Sequence, residues 1–545
     1  MGLQELTRPL TDSLAAASVL VRRGMLDPLR PDHTLRAARD ASRYGPFTTV
    51  LRAAARRWPE RTAVIDDRGG LTFAELDSRS DALARGLAAG GHGADTVLGV
   101  LCRDHRGMLL AMAAAGKLGA RVVLLNTGFG GRQLAEVAVR ERIAALLLDA
   151  EFLPLLAAAP DTIARILTRA DGAEPGVLTV DGLAAAHAPE PLPAPARAGG
   201  LVILTSGTTG TPKGAPREKV SPLQSAQFLD RIPLPRDSAM VMAAPLFHGT
   251  GLSQLGLGWA LGNTVVLRPG RFDPRWTVAA VAEHRAASLV VVPTMLQRIV
   301  DLPAAELAAH DTSALRVIFA AGSSVSPDLS RRTAELFGDV LYNLYASTEV
   351  AVAAVATPED MRLAPGTVGR PPVGCRVALY DERRARITEP GVVGTIFVSS
   401  GLSFAGYTDG RTRETVDGLL SSGDVGHFDA EGRLFVDGRD DDMIISGGEN
   451  VFPLEVENLL VERGDIAEAA VVGVPDADFG QRLRAFVVPV DGASVDAQEI
   501  KDYVKADLAR HKVPREVIVL DELPRNATGK LLRRALLEYD PDAAG

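Results

Sequence analysis

A chain of 545 residues holds several domains at roughly 100–200 residues each, and its 46% hydrophobic and 23% charged content excludes a disordered or collagen-like protein. A formal net charge of −9 and only 5% aromatic residues argue against a nucleic-acid binder that neutralises phosphate or stacks bases. Two cysteines, Cys102 and Cys375, cannot build a disulfide framework or a multi-cysteine metal site, and they fit a reducing, cytoplasmic setting.

The apolar run Ala15 to Val21 is too short to span a bilayer and is followed at once by Arg22 and Arg23, so no targeting or transmembrane segment is expected. Residues 1–44 read as helical around Leu14 to Arg23, a segment that could pack on the body or touch a membrane surface peripherally. Phe73 to Leu87 has apolar residues at helical spacing. A buried strand at Thr96 to Leu101, a helix at Met108 to Leu118 and a strand at Arg121 to Leu125 then predict βαβ units with a parallel sheet. The proline-rich Ala188 to Gly200 reads as an extended linker. Further strands are predicted at Leu201 to Leu204, Thr264 to Leu267, Ser288 to Val292 and Arg316 to Phe319. Beyond Gly369, shorter strands at Val392 to Ser399 and Arg433 to Val436 between glycine-rich turns indicate a β-rich subdomain. From about Asp440 a smaller α+β unit follows, with strands at Glu468 to Val474 and Arg484 to Pro489.

The sharpest local signal is Thr205-Ser206-Gly207-Thr208-Thr209-Gly210-Thr211-Pro212-Lys213-Gly214. Glycines permit tight turns whose N–H groups point at an anion, the hydroxyls add donors, and Lys213 adds a point charge. The combination suits a polyphosphate, yet it lacks the Gly-Lys-Ser/Thr ending of a Walker A loop. No HExxH, CxxC or GxSxG pattern supports a zinc or hydrolase reading.

TSGTTGTPKG resembles the signature loop (S/T)SG(S/T)TGxPKG of the adenylate-forming superfamily, which comprises acyl-CoA synthetases, luciferases and adenylation domains. Further segments resemble that family's motifs in order: Pro245 to Gly249, Tyr345 to Glu349 with Ala346 in place of the usual glycine, Ser422 to Asp424, Gly438 to Val451, and Pro524 to Lys530. The resemblance spans about residues 45–535 and is strongest toward medium- and long-chain fatty acyl-CoA synthetases. It implies a large N-terminal adenylation domain (1–439) of layered α/β subdomains plus a β-rich subdomain, and a small mobile α+β C-terminal domain (440–545) carrying the catalytic lysine.

The implied reaction joins a carboxylic acid to ATP as an acyl-adenylate and passes the acyl group to coenzyme A, releasing AMP and diphosphate. Alternatives are delivery to a carrier protein, as fatty acyl-AMP ligases do, and a luciferase-like oxygenase. Attack of a carboxylate on the α-phosphate brings anion toward anion, so positive charge and orientation are required. The resemblance implies that Lys530 supplies the charge, Glu349 ligates Mg²⁺, and Thr348 contacts the α-phosphate. His248 would position the carboxylate or shape the thiol route, or be a structural histidine of the pocket wall. ATP would be held by Thr205, Ser206, Gly207, Thr208, Thr209, Gly210 and Lys213, with adenine against Gly322, Ser323, Ser324 and the flat face of Tyr345. Asp424 would accept from both ribose hydroxyls and Arg439 would donate nearby. Asp441 aligns with the hinge; Gly447, Gly448 and Glu449 would line the coenzyme A channel; Phe247, Leu252, Trp259 and Ala346 would line the acyl pocket.

Overall fold

A computed structural model describes residues 3–169, 176–205, 213–217, 225–347, 349–400, 412–439, 442–446, 449–476, 480–526 and 529–539. They form two compact units, one of Met1–Ala321, Pro372–Gly374 and Gly401–Arg413, the other of Gly322–Pro371, Cys375–Ser400 and Glu414–Gly545.

The first unit is built on two sheets. In one, Ala164–Leu167, Ala145–Leu148, Val97–Leu101, Arg121–Leu124 and Leu201–Thr205 run parallel in that spatial order, and Lys213–Arg217 closes the edge antiparallel. In the other, Val317–Ala321, Ser288–Val291, Ala239–Met242, Thr264–Val266 and Thr62–Asp66 are parallel, with Gly69–Thr72 antiparallel at the edge. Strands such as Ala145–Leu148 and Ser288–Val291 are buried at every position. That is why they read as unbroken apolar runs rather than as alternating ones. The helix Phe73–Ala89 starts where expected, because Thr72 and Glu75 form a reciprocal capping box.

The N-terminal helix Leu3–Arg22 buries Ala16, Val19 and Leu20 and packs against the helix Ser225–Arg231. Arg23 Nε donates to the Leu229 carbonyl at 2.8 Å. Of the two sequence alternatives for this segment, packing on the body is the one observed. No helix among the described residues is long and apolar enough to cross a membrane.

The second unit contains the antiparallel hairpin Leu341–Ser347/Ala351–Ala356 and an antiparallel sheet ordered Arg386–Ile387, Arg376–Tyr380, Gly394–Ser399, Leu419–Phe428, Thr415–Val416, with Leu434–Arg439 also on Leu419–Phe428. A further sheet pairs Ile466–Asp476 with Gly480–Pro489, to which Glu516–Val519 adds in parallel. The helices Pro453–Val461 and Ala497–Asp507 cover it through Val456, Leu460, Ile500 and Val504. The hairpin Ile466–Asp476/Gly480–Pro489 outruns the apolar segments that predicted it. Its polar end is held by cross-strand pairing and by Arg482 and Asp476 at 3.6 Å, which hydrophobic pattern alone does not reveal.

Candidate active site

Within the second unit, residues from four separate segments converge. Asp424 and Arg439 face each other in register across Leu419–Phe428 and Leu434–Arg439, and their side chains approach to 3.9 Å. The Tyr345 hydroxyl donates to Asp424 Oδ2, joining the hairpin to this pair. Burial and the Asp424 carboxylate push the Tyr345 phenol well above its ordinary pKa, so it stays a donor. Asp424 is itself shaped by a tight turn in which its amide donates to Ser422 Oγ at 3.1 Å. Glu349 is seated by Ser347, whose hydroxyl donates to Glu349 Oε2 at 2.9 Å and accepts from the Glu349 and Val350 amides. Ala346 lies at a bulge in the hairpin register, and Ala351 beyond it adopts φ 56°.

Lys530 faces this cluster. Desolvation and the nearby Arg439 guanidinium lower its pKa below the ordinary lysine value, while Asp424, Asp442 and Glu349 act in the opposite direction. The residue keeps exposed surface even though protein crowds its ammonium. Its loop is tightly tied. Lys530 N donates to Asn526 Oδ1 at 2.9 Å, and Asn526 N donates back to the Lys530 carbonyl at 2.9 Å. Arg525 donates to the Gly529 carbonyl at 2.8 Å and to Glu468 Oε2 at 2.6 Å. Gly529 takes φ 77°, the left-handed conformation that the turn into Lys530 requires. Just beyond, Arg533 pairs with Glu457 at 2.8 Å and lies 3.4 Å from Asp442.

Gly322, Ser323 and Ser324 form an exposed loop of the same unit, and Glu449 is exposed on the strand Glu449–Val451. Thr348, the hinge candidate Asp441, and the channel candidates Gly447 and Gly448 lie outside the described residues. So do Ser206, Gly207, Thr208, Thr209 and Gly210 of the glycine-rich loop. Thr205 and Lys213 are placed only by their backbones, in the paired strands Leu201–Thr205 and Lys213–Arg217.

In the first unit, Phe247 is buried and its ring centroid lies 4.6 Å from that of His248, the residue preceding the helix Gly249–Ala260. Burial lowers the His248 pKa to about 4, and its Nε2 is buried with no hydrogen-bond partner among the described residues. Leu252 is half-buried on the same helix. Trp259 corrects the sequence expectation. It has 0% exposure, donates from Nε1 to the Ala63 carbonyl at 2.9 Å and packs against Phe47 and Phe73, so it belongs to the core and lines no open pocket.

Among the described residues, one group could hold a metal by proximity: Cys102, His105 and Asp149, all buried. Its hydrogen bonds account for it without an ion. His105 Nδ1 accepts from the Gly107 amide at 3.0 Å, which leaves Nε2 to donate to Asp149 Oδ1 at 2.8 Å. Asp149 also accepts from the Thr168 hydroxyl and, at 2.7 Å, from the Arg103 amide.

Sequence reasoning missed Glu468 and gave no role to Ser347, Arg525 and Asn526, although all three lie in the motif segments Tyr345 to Glu349 and Pro524 to Lys530.

The family model for AMP-binding enzymes matches residues 51–408, and that for their C-terminal domain matches residues 455–530. The chain belongs to the AMP-binding enzyme family. It is 34% identical over 484 residues to the indoleacetate–CoA ligase of Aromatoleum aromaticum, covering 87% of this chain and 94% of that one. It is likewise 34% identical to a feruloyl-CoA synthase of an Amycolatopsis species, covering 88% and 96%. The o-succinylbenzoate CoA synthetase of Bacillus subtilis, solved with an acyl-adenylate intermediate, aligns with a TM-score of 0.76 and 28% identity over 90% of this AMP-binding chain and 98% of that one. These matches support an AMP-forming carboxylate–CoA ligase with ATP and CoA as substrates.

Proposed function

We propose that the protein activates an aromatic or arylalkanoic acid as its acyl-adenylate and transfers the acyl group to coenzyme A. The convergence of Lys530 with Asp424, Arg439 and Glu349 carries the adenylation half of this reading. A lysine kept below its ordinary pKa by desolvation and a guanidinium gains most when anions arrive, because they restore a favourable charge balance. Carboxylate and α-phosphate are two such anions, and Lys530 would bring them together and cancel their repulsion. Asp424, already oriented by Tyr345 and Ser422, would accept from the ribose hydroxyls, with Arg439 as a donor beside it. Glu349 is a half-buried carboxylate held by a hydroxyl, which suits Mg²⁺, an ion that takes one or two carboxylates together with phosphate oxygens and water. When bound, Mg²⁺ would neutralise phosphate charge.

On the acid side, Phe247 and Leu252 would contact the acyl group, and His248, neutral above about pH 4, would act as a hydrogen-bonding wall rather than a counter-ion. The aromatic substrate class is supported by the indoleacetate and feruloyl relatives. The fatty acyl class rests on the motif resemblance alone. After acyl-adenylate formation, a C-terminal domain beginning near residue 440 would turn about Asp441, withdraw Lys530 and open a pantetheine channel beside Gly447, Gly448 and Glu449.

The test supplies ATP, Mg²⁺ and CoA with indoleacetate, ferulate, benzoate, octanoate and palmitate. AMP release with a matching thioester is expected from an aromatic acid at a kcat/KM at least tenfold above palmitate. Preference for palmitate would overturn the substrate class, and AMP release without any thioester would overturn coenzyme A as acceptor.

A further inference from the structure

The segment Pro245 to Gly249 leaves the end of the strand Ala239–Met242, at the carboxyl ends of parallel strands where ligands of α/β sheets bind. Its backbone is held at several points. The Ala243 and Ala244 amides both donate to the Val290 carbonyl, at 2.9 and 3.0 Å. Gly251 passes so close that a Cβ there would lie 2.3 Å from the Pro245 carbonyl oxygen. The His248 amide donates to the Pro245 carbonyl at 3.2 Å, and a tether from 142 residues away is the Leu246 amide, which donates to Asp104 Oδ1 at 3.1 Å. Phe247 and His248 follow directly. Nothing else among the described residues hydrogen-bonds to His248 Nε2, so the ring's direction depends on this backbone and on Phe247.

Asp104 is an unusual choice for a structural tether. Its neighbours are committed elsewhere: Arg103 makes a two-pronged pair with Glu151 at 3.0 and 2.9 Å, and His105 is locked to Asp149. The charged groups facing the Asp104 carboxyl are Arg103 and His105 from its own loop and Asp149 from the end of the neighbouring strand, while the opposing loop presents the Leu246 amide. Burial, reinforced by the Asp149 carboxylate, outweighs the Leu246 amide, His105 and Arg103 and raises the carboxyl's pKa to about 7. A group that ionises at a cost to folding is a poor stabiliser near neutrality, where an asparagine would offer the same acceptor without charge. Its value therefore has to be sought in the segment it holds.

We propose that Asp104 is a positioning residue for the acid substrate, acting through the Leu246 amide to aim Phe247 and His248 at the bound acid. The proposal rests on the functional reading above. Because the ionised carboxylate is the stronger acceptor, the segment is held most firmly once Asp104 has lost its proton, which makes affinity for the acid rise with pH through neutrality.

The experiment first confirms that the wild-type protein exchanges labelled diphosphate into ATP with a chosen acid; without exchange the functional reading itself fails. KM for the acid and for ATP are then measured at pH 6, 7 and 8 for wild type, Asp104→Ala and Asp104→Asn. Loss of a charge-assisted hydrogen bond predicts that Asp104→Ala raises KM for the acid by about tenfold or more while KM for ATP stays within about twofold. Asp104→Asn is expected to keep KM for the acid within about fivefold of wild type, as a neutral hydrogen bond would, and to abolish its fall between pH 6 and pH 8. An unchanged KM for the acid in Asp104→Ala, or equal rises for acid and ATP, would overturn the proposal. Should Asp104→Ala fail to fold, an Asp104→Asn protein with the wild-type pH trend would overturn it equally.

Discussion

The two units carry their candidate site residues in opposite electrostatic states. In the second unit, Lys530, Arg439, Asp424 and Glu349 form a charged cluster in which each ionised group has an opposite charge nearby. In the first, His248 and Asp104 are ionisable groups that burial drives toward neutrality, to about 4 and about 7 respectively. The difference matches what each region would have to handle. A triphosphate needs compensating charge, whereas the body of an organic acid needs a dry wall whose few polar atoms are fixed by backbone.

The comparison breaks most decisively at Lys530. Lys530→Ala is expected to lower adenylation by about 10²–10³-fold, the loss typical of removing one transition-state charge contact, while a pre-made acyl-adenylate still reacts with coenzyme A. Equal loss in both half-reactions would remove the lysine from its assigned step.

Next comes the loop that carries the lysine. Arg525→Ala and Glu468→Ala should each lower kcat for adenylation by about tenfold with KM for ATP nearly unchanged. The double variant should be little worse than either single one, since both cut the same 2.6 Å contact. Additive losses would show that the pair does not act on Lys530 as a unit.

A smaller effect separates the two buried groups of the first unit by sign. His248, held at about 4, takes up a proton in the unfolded chain below its ordinary 6.5, so its contribution to stability is present above 6.5 and lost as pH falls toward 4. Asp104 is held at about 7 against an ordinary 3.8, so its contribution is present below 3.8 and lost as pH rises toward 7. Between about pH 4 and 6.5 the two slopes oppose each other. Urea unfolding of Asp104→Asn should therefore give stability that climbs with pH, by at most about 1.4 kcal/mol per unit, and His248→Gln stability that declines. Parallel slopes in the two variants would contradict the assignment.

The smallest effect lies in the hairpin that carries Tyr345 and Glu349. Ala351 sits at φ 56°, where a Cβ is strained, so Ala351→Gly should change stability little or raise it by up to about 1 kcal/mol. A loss above 1 kcal/mol would mean that the methyl packs more than the strain costs.

Much of this was legible beforehand because it is local. Unbroken apolar strands announced the parallel sheets, and motif residues named Tyr345, Asp424, Arg439, Glu349 and Lys530, which the fold brings into one unit. The long-range supports were not legible, because they join distant segments, unlike Ser347 beside Glu349 and Asn526 beside Lys530. Glu468 and Arg525 are 57 residues apart, and Asp104 and Leu246 are 142 apart, with no spacing rule that links them. Trp259 misled for a related reason. Its place in the sequence says nothing about helical phase, and near the C-terminal end of the helix Gly249–Ala260 it is turned toward Ala63 and Phe73.

The most direct test of the central claim is acid-dependent exchange of labelled diphosphate into ATP in the absence of coenzyme A, measured for wild type and Lys530→Ala. Exchange that requires an acid and disappears in the variant is the predicted result. Exchange that needs no acid, or that Lys530→Ala retains at the wild-type rate, would contradict it.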